Sequence, residues 1–236
     1  MSTSTITESP NPTTYPATPR TTLKRLAVRG RYDRAAVHAV LDEALVCHVA
    51  FVADGSPVVI PVAYARIGDD LYLHGSTANR MLRTLAGGGP ASIAVTLLDG
   101  LVLARSAFHH SVNYRSVVVF GTGERVTDPD EHARALAAVV EHVVPGRSAY
   151  VRGPNREESL RTLVVRFPII EVSMKERMGG PVDDEEDYDL GIWAGTIPLT
   201  TVFGAPVDDP LHAPRAEPPE HARSYRRPSV NGAVPE

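Results

Sequence analysis

The chain has 236 residues, 43% hydrophobic and 22% charged, a composition typical of a globular protein with room for one core. A formal charge of −4 excludes a sequence-independent nucleic-acid binder, which needs a basic surface. A single cysteine, Cys47, excludes an internal disulfide and a cysteine-rich zinc site, and no apolar run approaches the length of a membrane span.

Residues 1–20, rich in Ser, Thr and Pro, read as a disordered arm. They lack the basic start and apolar block of a secretory signal, so a cytoplasmic location is expected. A helix follows from Asp33 to Leu45, capped by Asp33, with Val37, Val40, Leu41 and Ala44 as its buried stripe. Strands Val46–Ala53 and Pro57–Tyr64 are joined by Asp54-Gly55, a strong hairpin signal. Cys47 and His48, set in an apolar run, read as core residues. Leu71–His74 comes after a turn at Gly68-Asp69-Asp70. A polar corner, Gly75-Ser76-Thr77, then opens a helix whose Ala78, Met81, Leu82 and Leu85 share one face, stopped by Gly87-Gly88-Gly89-Pro90.

Strands Ser92–Leu98 and Leu101–Ala107 read as a second hairpin around Asp99-Gly100, and Arg115–Gly121 and Gly123–Thr127 extend the sheet. A helix over Pro129–Val143 starts with proline in its first turn. A shorter helix at Asn155–Arg161 leads into a strand, Thr162–Ser173. The acidic run Asp183-Asp184-Glu185-Glu186-Asp187 reads as a solvated loop, because consecutive carboxylates need a sharp turn to converge on a metal. Residues 206–236 read as a disordered tail, leaving 21–205 as one domain. Six or seven short antiparallel strands with peripheral helices predict a mainly β (α+β) fold, a closed or nearly closed barrel. Strands do not alternate with helices, and the glycines lack dinucleotide spacing, so a Rossmann reading finds little support.

Two constellations carry chemistry. At the corner, backbone N–H groups, the Ser76 and Thr77 hydroxyls, the Asn79 amide and the Arg80 fork suit a phosphate; ordinary helix capping would use the same residues. The second, Arg105 to Ser116, is polar between apolar strands and rich in donors, with Ser111, Asn113, Tyr114 and Arg115 among them. His109 and His110 are adjacent, so an extended strand would point them apart, and no second ligand follows at i+2 or i+4 to complete a metal site. No Gly-x-Ser-x-Gly elbow is present. A site rich in donors and poor in acid–base pairs is one that holds a cofactor bringing its own chemistry.

Together these segments resemble the pyridoxamine 5′-phosphate oxidase-like superfamily of FMN-binding split barrels. More narrowly they resemble its flavin-nucleotide-binding branch, which includes nitroimidazole-resistance proteins. The resemblance spans about residues 22–204. It rests on Gly30-Arg31-Tyr32-Asp33, Leu71-Tyr72-Leu73-His74-Gly75-Ser76, Phe108-His109-His110-Ser111 and Trp193-Ala194-Gly195-Thr196-Ile197-Pro198. It implies an antiparallel split barrel with FMN lying along Val59, Ile60, Pro61 and Val62. His74, Gly75, Ser76, Asn79, Arg80 and Met81 would hold ribityl and phosphate. Ser111, Asn113, Tyr114 and Arg115 would close the pocket across a homodimer interface, with Trp193 near the ring. The oxidase itself has an Arg-Lys pair where this chain has Arg80-Met81, and its C-terminal substrate signature is not evident, so pyridoxamine phosphate oxidation is not implied. A histidine matching His74 is functional in nitroimidazole-resistance relatives, which makes His74 the candidate catalytic residue.

The reading that follows is a homodimeric FMN-dependent oxidoreductase passing electrons from NADPH, NADH or a deazaflavin to a small-molecule acceptor, with no nucleic-acid or membrane partner and no metal site. Two alternatives keep the fold. One is a haem-binding split barrel with His74, His109 or His110 as axial ligand. The other is a flavin carrier or sensor without turnover.

Overall fold

The computed structural model describes residues 12–211 and 217–227. In chain order the elements are β1 (Gly30–Arg31), α1 (Arg34–Glu43), β2 (Val46–Ala53), β3 (Ser56–Ile67), β4 (Asp70–Ser76), α2 (Arg80–Ala86), β5 (Pro90–Leu103) and β6 (Ser111–Thr122). Then come β7 (Glu124–Arg125), α3 (Pro129–Val143), α4 (Arg156–Arg161), β8 (Thr162–Pro168), β9 (Glu171–Arg177), β10 (Gly195–Pro198) and α5 (Glu220–Arg223). The strands run β1-β9-β6-β5-β2-β3-β4-β8-β7, all antiparallel, with β10 on β5. The terminal strands β1 and β7 do not pair, so the barrel is split and not closed.

Local signals account for the helices. Asp33 Oδ1 accepts the Ala36 N–H at 2.9 Å and starts α1 where expected. Asp128 caps α3, with Pro129 in the first turn, and Asn155 and Glu158 form a reciprocal capping box on α4. Period-two alternation sends Cys47, Val49 and Phe51 of β2 into the core, where they meet Tyr64, Ile93, Val95, Val117 and Val119. Burial pushes the Cys47 thiol up to about 12.

The two Asp-Gly pairs behave differently. Asp54 and Gly55 both take positive φ, 51° and 74°, as a two-residue hairpin turn requires. Asp99-Gly100 makes no hairpin. β5 runs through it without interruption to Leu103, and the ladder to β6 slips there by one residue, leaving Asp99 as a bulge. The connection to β6 instead passes through Ala104–His110, and β6 begins at Ser111 rather than Arg115. The single strand expected over Thr162–Ser173 is likewise two. Pro168, lacking an N–H, ends β8 against β4, and β9 then crosses to pair with β6.

Both expected arms are partly docked. Residues 1–11, 212–216 and 228–236 lie outside the described residues. Tyr15, however, is buried, and its hydroxyl donates to Asp69 at 2.9 Å. At the other end, Tyr225 donates to the Val143 carbonyl, and Arg227 donates to the carbonyls of Asp42 and Glu43 at the end of α1. These carbonyls have no helical partner of their own, so a guanidinium is a natural cap.

Candidate functional site

β3 joins the two halves of the barrel, pairing with β2 over Ser56–Ala63 and with β4 over Tyr64–Ile67. On it, Ile60 and Val62 lean on the core, whereas Val59 and Pro61 face outward, Val59 being 61% exposed. Across the ladder Val59 faces Ala50 and Pro61 faces His48. His48 is therefore exposed on an apolar outer wall, not in the core as expected. The strand's phase decides this: Cys47 points in, so its neighbour must point out.

At the corner, His74 stands opposite Val164 of β8, on the same face as Tyr72, where that sheet packs against Ala135 of α3. Its Nδ1 is buried without a hydrogen-bond partner, and burial holds the imidazole below its usual range, so it is neutral at pH 7. Gly75 points the other way. A Cβ there would meet Leu82 Cδ1 at 3.1 Å, which explains the glycine. Ser76 Oγ accepts the Ala78 N–H, and Asn79 Oδ1 accepts the Leu82 N–H at 3.1 Å, so both side chains serve α2. Arg80 is exposed and pairs at 3.2 Å with exposed Asp54 on the β2–β3 turn. Met81 is buried in the core, so its side chain cannot reach a ligand. The helical periodicity that put it on the apolar face was the better guide.

In the second constellation the structure corrects one assignment. Arg115 is buried, and its guanidinium donates to Glu43 at 2.6 and 2.9 Å and to Asp99 at 2.7 and 3.0 Å. These bonds raise its proton affinity and occupy its fork, so it ties α1 to the β5 bulge and has no side left for a cofactor. Asn113 is also engaged, donating to the Gly179 carbonyl and accepting from Arg177. Ser111 and Tyr114 are half-buried, Tyr114 lying between Leu98 of β5 and Arg177 of β9. Arg177, which the sequence reading passed over, thus stands beside Tyr114 where Arg115 was expected. The signal available was Lys175 and Arg177 at i and i+2, a pair of cations on one strand face.

The connecting loop is built more firmly than its polarity suggests. The Asp183 carboxylate, fully buried, accepts from the Arg105 backbone N–H at 3.0 Å and from its guanidinium at 3.1 Å. The acidic run turns as a short 3-10 helix over Glu185–Asp189. That turn brings Asp184 and Asp187 to within 4.8 Å of His109, the convergence that the sequence reading considered too sharp. Phe108 beside them is 88% exposed. Trp193 is also exposed and packs its ring close over Gly195.

Two clefts lie away from the β3 wall. One, about 290 Å³, is lined by Thr77, Arg83 and Arg125; the other, about 540 Å³, by Arg147, Tyr150 and residues of the C-terminal segment.

Residues 33–176 match the pyridoxamine 5′-phosphate oxidase family, and with most of the barrel inside that match the chain belongs to it. Among solved structures, the flavocytochrome Anf3 from Azotobacter vinelandii is 37% identical, with 89% of this chain and 98% of that chain covered at a TM-score of 0.84. An FAD and haem binding protein from Mycobacterium smegmatis is 41% identical, with 83% and 96% covered at a TM-score of 0.79. A putative 5-nitroimidazole antibiotic resistance protein from Bacteroides thetaiotaomicron shares the fold at 20% identity, with 62% and 85% covered and a TM-score of 0.53. No curated protein matches the sequence.

Proposed function

We propose that the chain is a flavin-binding redox protein that also carries haem and works as a homodimer. The observation that carries this is the pair of relatives at 37% and 41% identity, one described as a flavocytochrome and the other as an FAD and haem binding protein. Each is covered almost from end to end.

The chain's own residues fit both groups. A histidine can hold haem iron only as a neutral imidazole, and His74 is kept in that form by burial, with one ring nitrogen already shut away from water. A flavin nucleotide, FMN or FAD, needs a flat apolar wall and a cationic corner. Val59 and Pro61 supply the first. Arg80 supplies the second, since its exposed pairing with Asp54 contributes little and yields readily to a phosphate. The outer wall of β2 and β3 is open in the single chain, and covering it with a second copy would enclose the ring. A bound flavin accepts a hydride and a haem passes single electrons. NADPH, NADH or a deazaflavin would donate to a small acceptor, and the protein's part is to orient and shelter.

The visible spectrum of the purified protein, with mass analysis of what it releases on heating, tests the reading. A flavin band together with a Soret band is expected. His74→Ala should abolish the Soret band and leave flavin in place. Flavin without haem would reduce the protein to a flavoprotein, and loss of both bands from the parent would end the proposal. Failure of any donor to bleach the flavin anaerobically would favour a carrier over an enzyme.

A further inference from the structure

Arg177, at the end of β9, is 8% exposed. Its hydrogen bonds go to Asn113 Oδ1 and to the carbonyls of Gly179 and Gly180, all neutral acceptors. A guanidinium has five N–H groups, so these bonds leave two uncommitted. Arg115, buried to a similar depth, is enclosed by two carboxylates, whereas Arg177 has none among the described residues. A buried cation without a counter-charge is costly, and here the neighbouring guanidinium of Arg29 has the same sign. Burial and the neighbouring Arg29 both lower the proton affinity of Arg177.

Two further groups extend the patch. Lys175 lies on the same face of β9, opposite Ser116 as Arg177 lies opposite Tyr114. Gly30 pairs with Lys175, which sets Arg29 against the same edge. Neither Arg29 nor Lys175 has an ion-pair partner among the described residues. Glu176 points to the opposite face, where Arg31 binds it at 2.6 Å. Two cations and two hydroxyls thus share one outer face, with Arg29 close enough to act on Arg177, in a chain whose net charge is −4.

We propose that Arg29, Lys175 and Arg177 form an anion subsite that receives a carboxylate or phosphate of a cofactor lying against the outer face of β6 and β9. The proposal rests on the flavin and haem reading and adds residues to it. The shared chemistry is an anionic oxygen group, which could come from the haem propionates or from the flavin phosphate, the latter then being anchored here and not at Arg80.

The test uses the full chain. Haem and its dimethyl ester are titrated in parallel, as are FMN and riboflavin, into the parent and into an Arg29→Gln/Lys175→Gln variant. Both substituted residues are half-buried, so this variant avoids the folding risk of replacing Arg177. The parent should prefer the charged form of one pair by about tenfold or more, as one charge-assisted hydrogen bond allows. The variant should lose that preference while binding the uncharged form as the parent does. Loss confined to the haem pair assigns the propionates, and loss confined to the flavin pair assigns the phosphate. Unchanged preferences in both pairs would overturn the subsite. If the parent binds neither haem nor flavin, the cofactor reading fails by itself. The subsite is then judged with inorganic pyrophosphate: a rise in thermal midpoint seen in the parent and lost in the variant upholds it, and an equal or absent response overturns it.

Discussion

At the scale of single residues, charge partners decide roles. Arg115 carries two carboxylates from distant elements, so Arg115→Met should cost about 3–5 kcal/mol by taking away the guanidinium that Glu43 and Asp99 share. Urea denaturation measures this; weakened flavin binding at unchanged stability would return Arg115 to the cofactor. His74 makes a pH prediction. Its imidazole is depressed by burial, so the unfolded chain takes up the proton first, at about pH 6.5, and acid favours unfolding. The stability that neutral His74 contributes is full above that value and is lost as pH falls toward the lowered folded one. His38 and His142 are shifted the same way by burial, so the cofactor-free protein should melt progressively lower from pH 7 to 5. His74→Phe should flatten that slope, and an identical slope would remove His74 from the cause.

Elements show where local pattern suffices. Caps at Asp33, Asp128 and Asn155 and the Asp54-Gly55 turn are short-range devices, and each lies where the sequence indicates. Asp99-Gly100 has the same residue types and another outcome. Asp99 is held by Arg115 as a bulge, and Gly100 lets β10 approach, since a Cβ there would meet the Ile197 carbonyl at 3.0 Å. Gly100→Val should therefore loosen β10 and cost about 1–3 kcal/mol. Hydrogen exchange at the Thr196 and Ile197 amides reads this out; retained protection would mean that the edge can shift to fit. β10 itself, four residues without periodicity, could not be read locally.

For the whole molecule, the open wall of β2 and β3 is where the proposed second copy would sit. Val59→Asp puts a charge on it without touching the core, so it should leave the monomer folded, shift the proposed dimer toward monomer and weaken flavin binding at least tenfold. Sedimentation and flavin titration together check this; a dimer that keeps its flavin would place the interface elsewhere. The termini belong to this scale too. Tyr15 and Arg227 are recruited by Asp69 and by the end of α1, groups that composition alone does not connect with Ser- and Pro-rich ends.

Strand phases, helix starts, the fold class and the polarity of both constellations follow from residues a few positions apart, so the sequence alone determines them. The partners of the buried charges do not. Arg115 meets Glu43 across 72 residues and Arg177 meets Asn113 across 64, and those pairings decide which arginine is structural and which is open to a ligand. Only the closed chain brings such groups within bonding distance. Short-range periodicity cannot indicate which of several similar donors has its charge already satisfied.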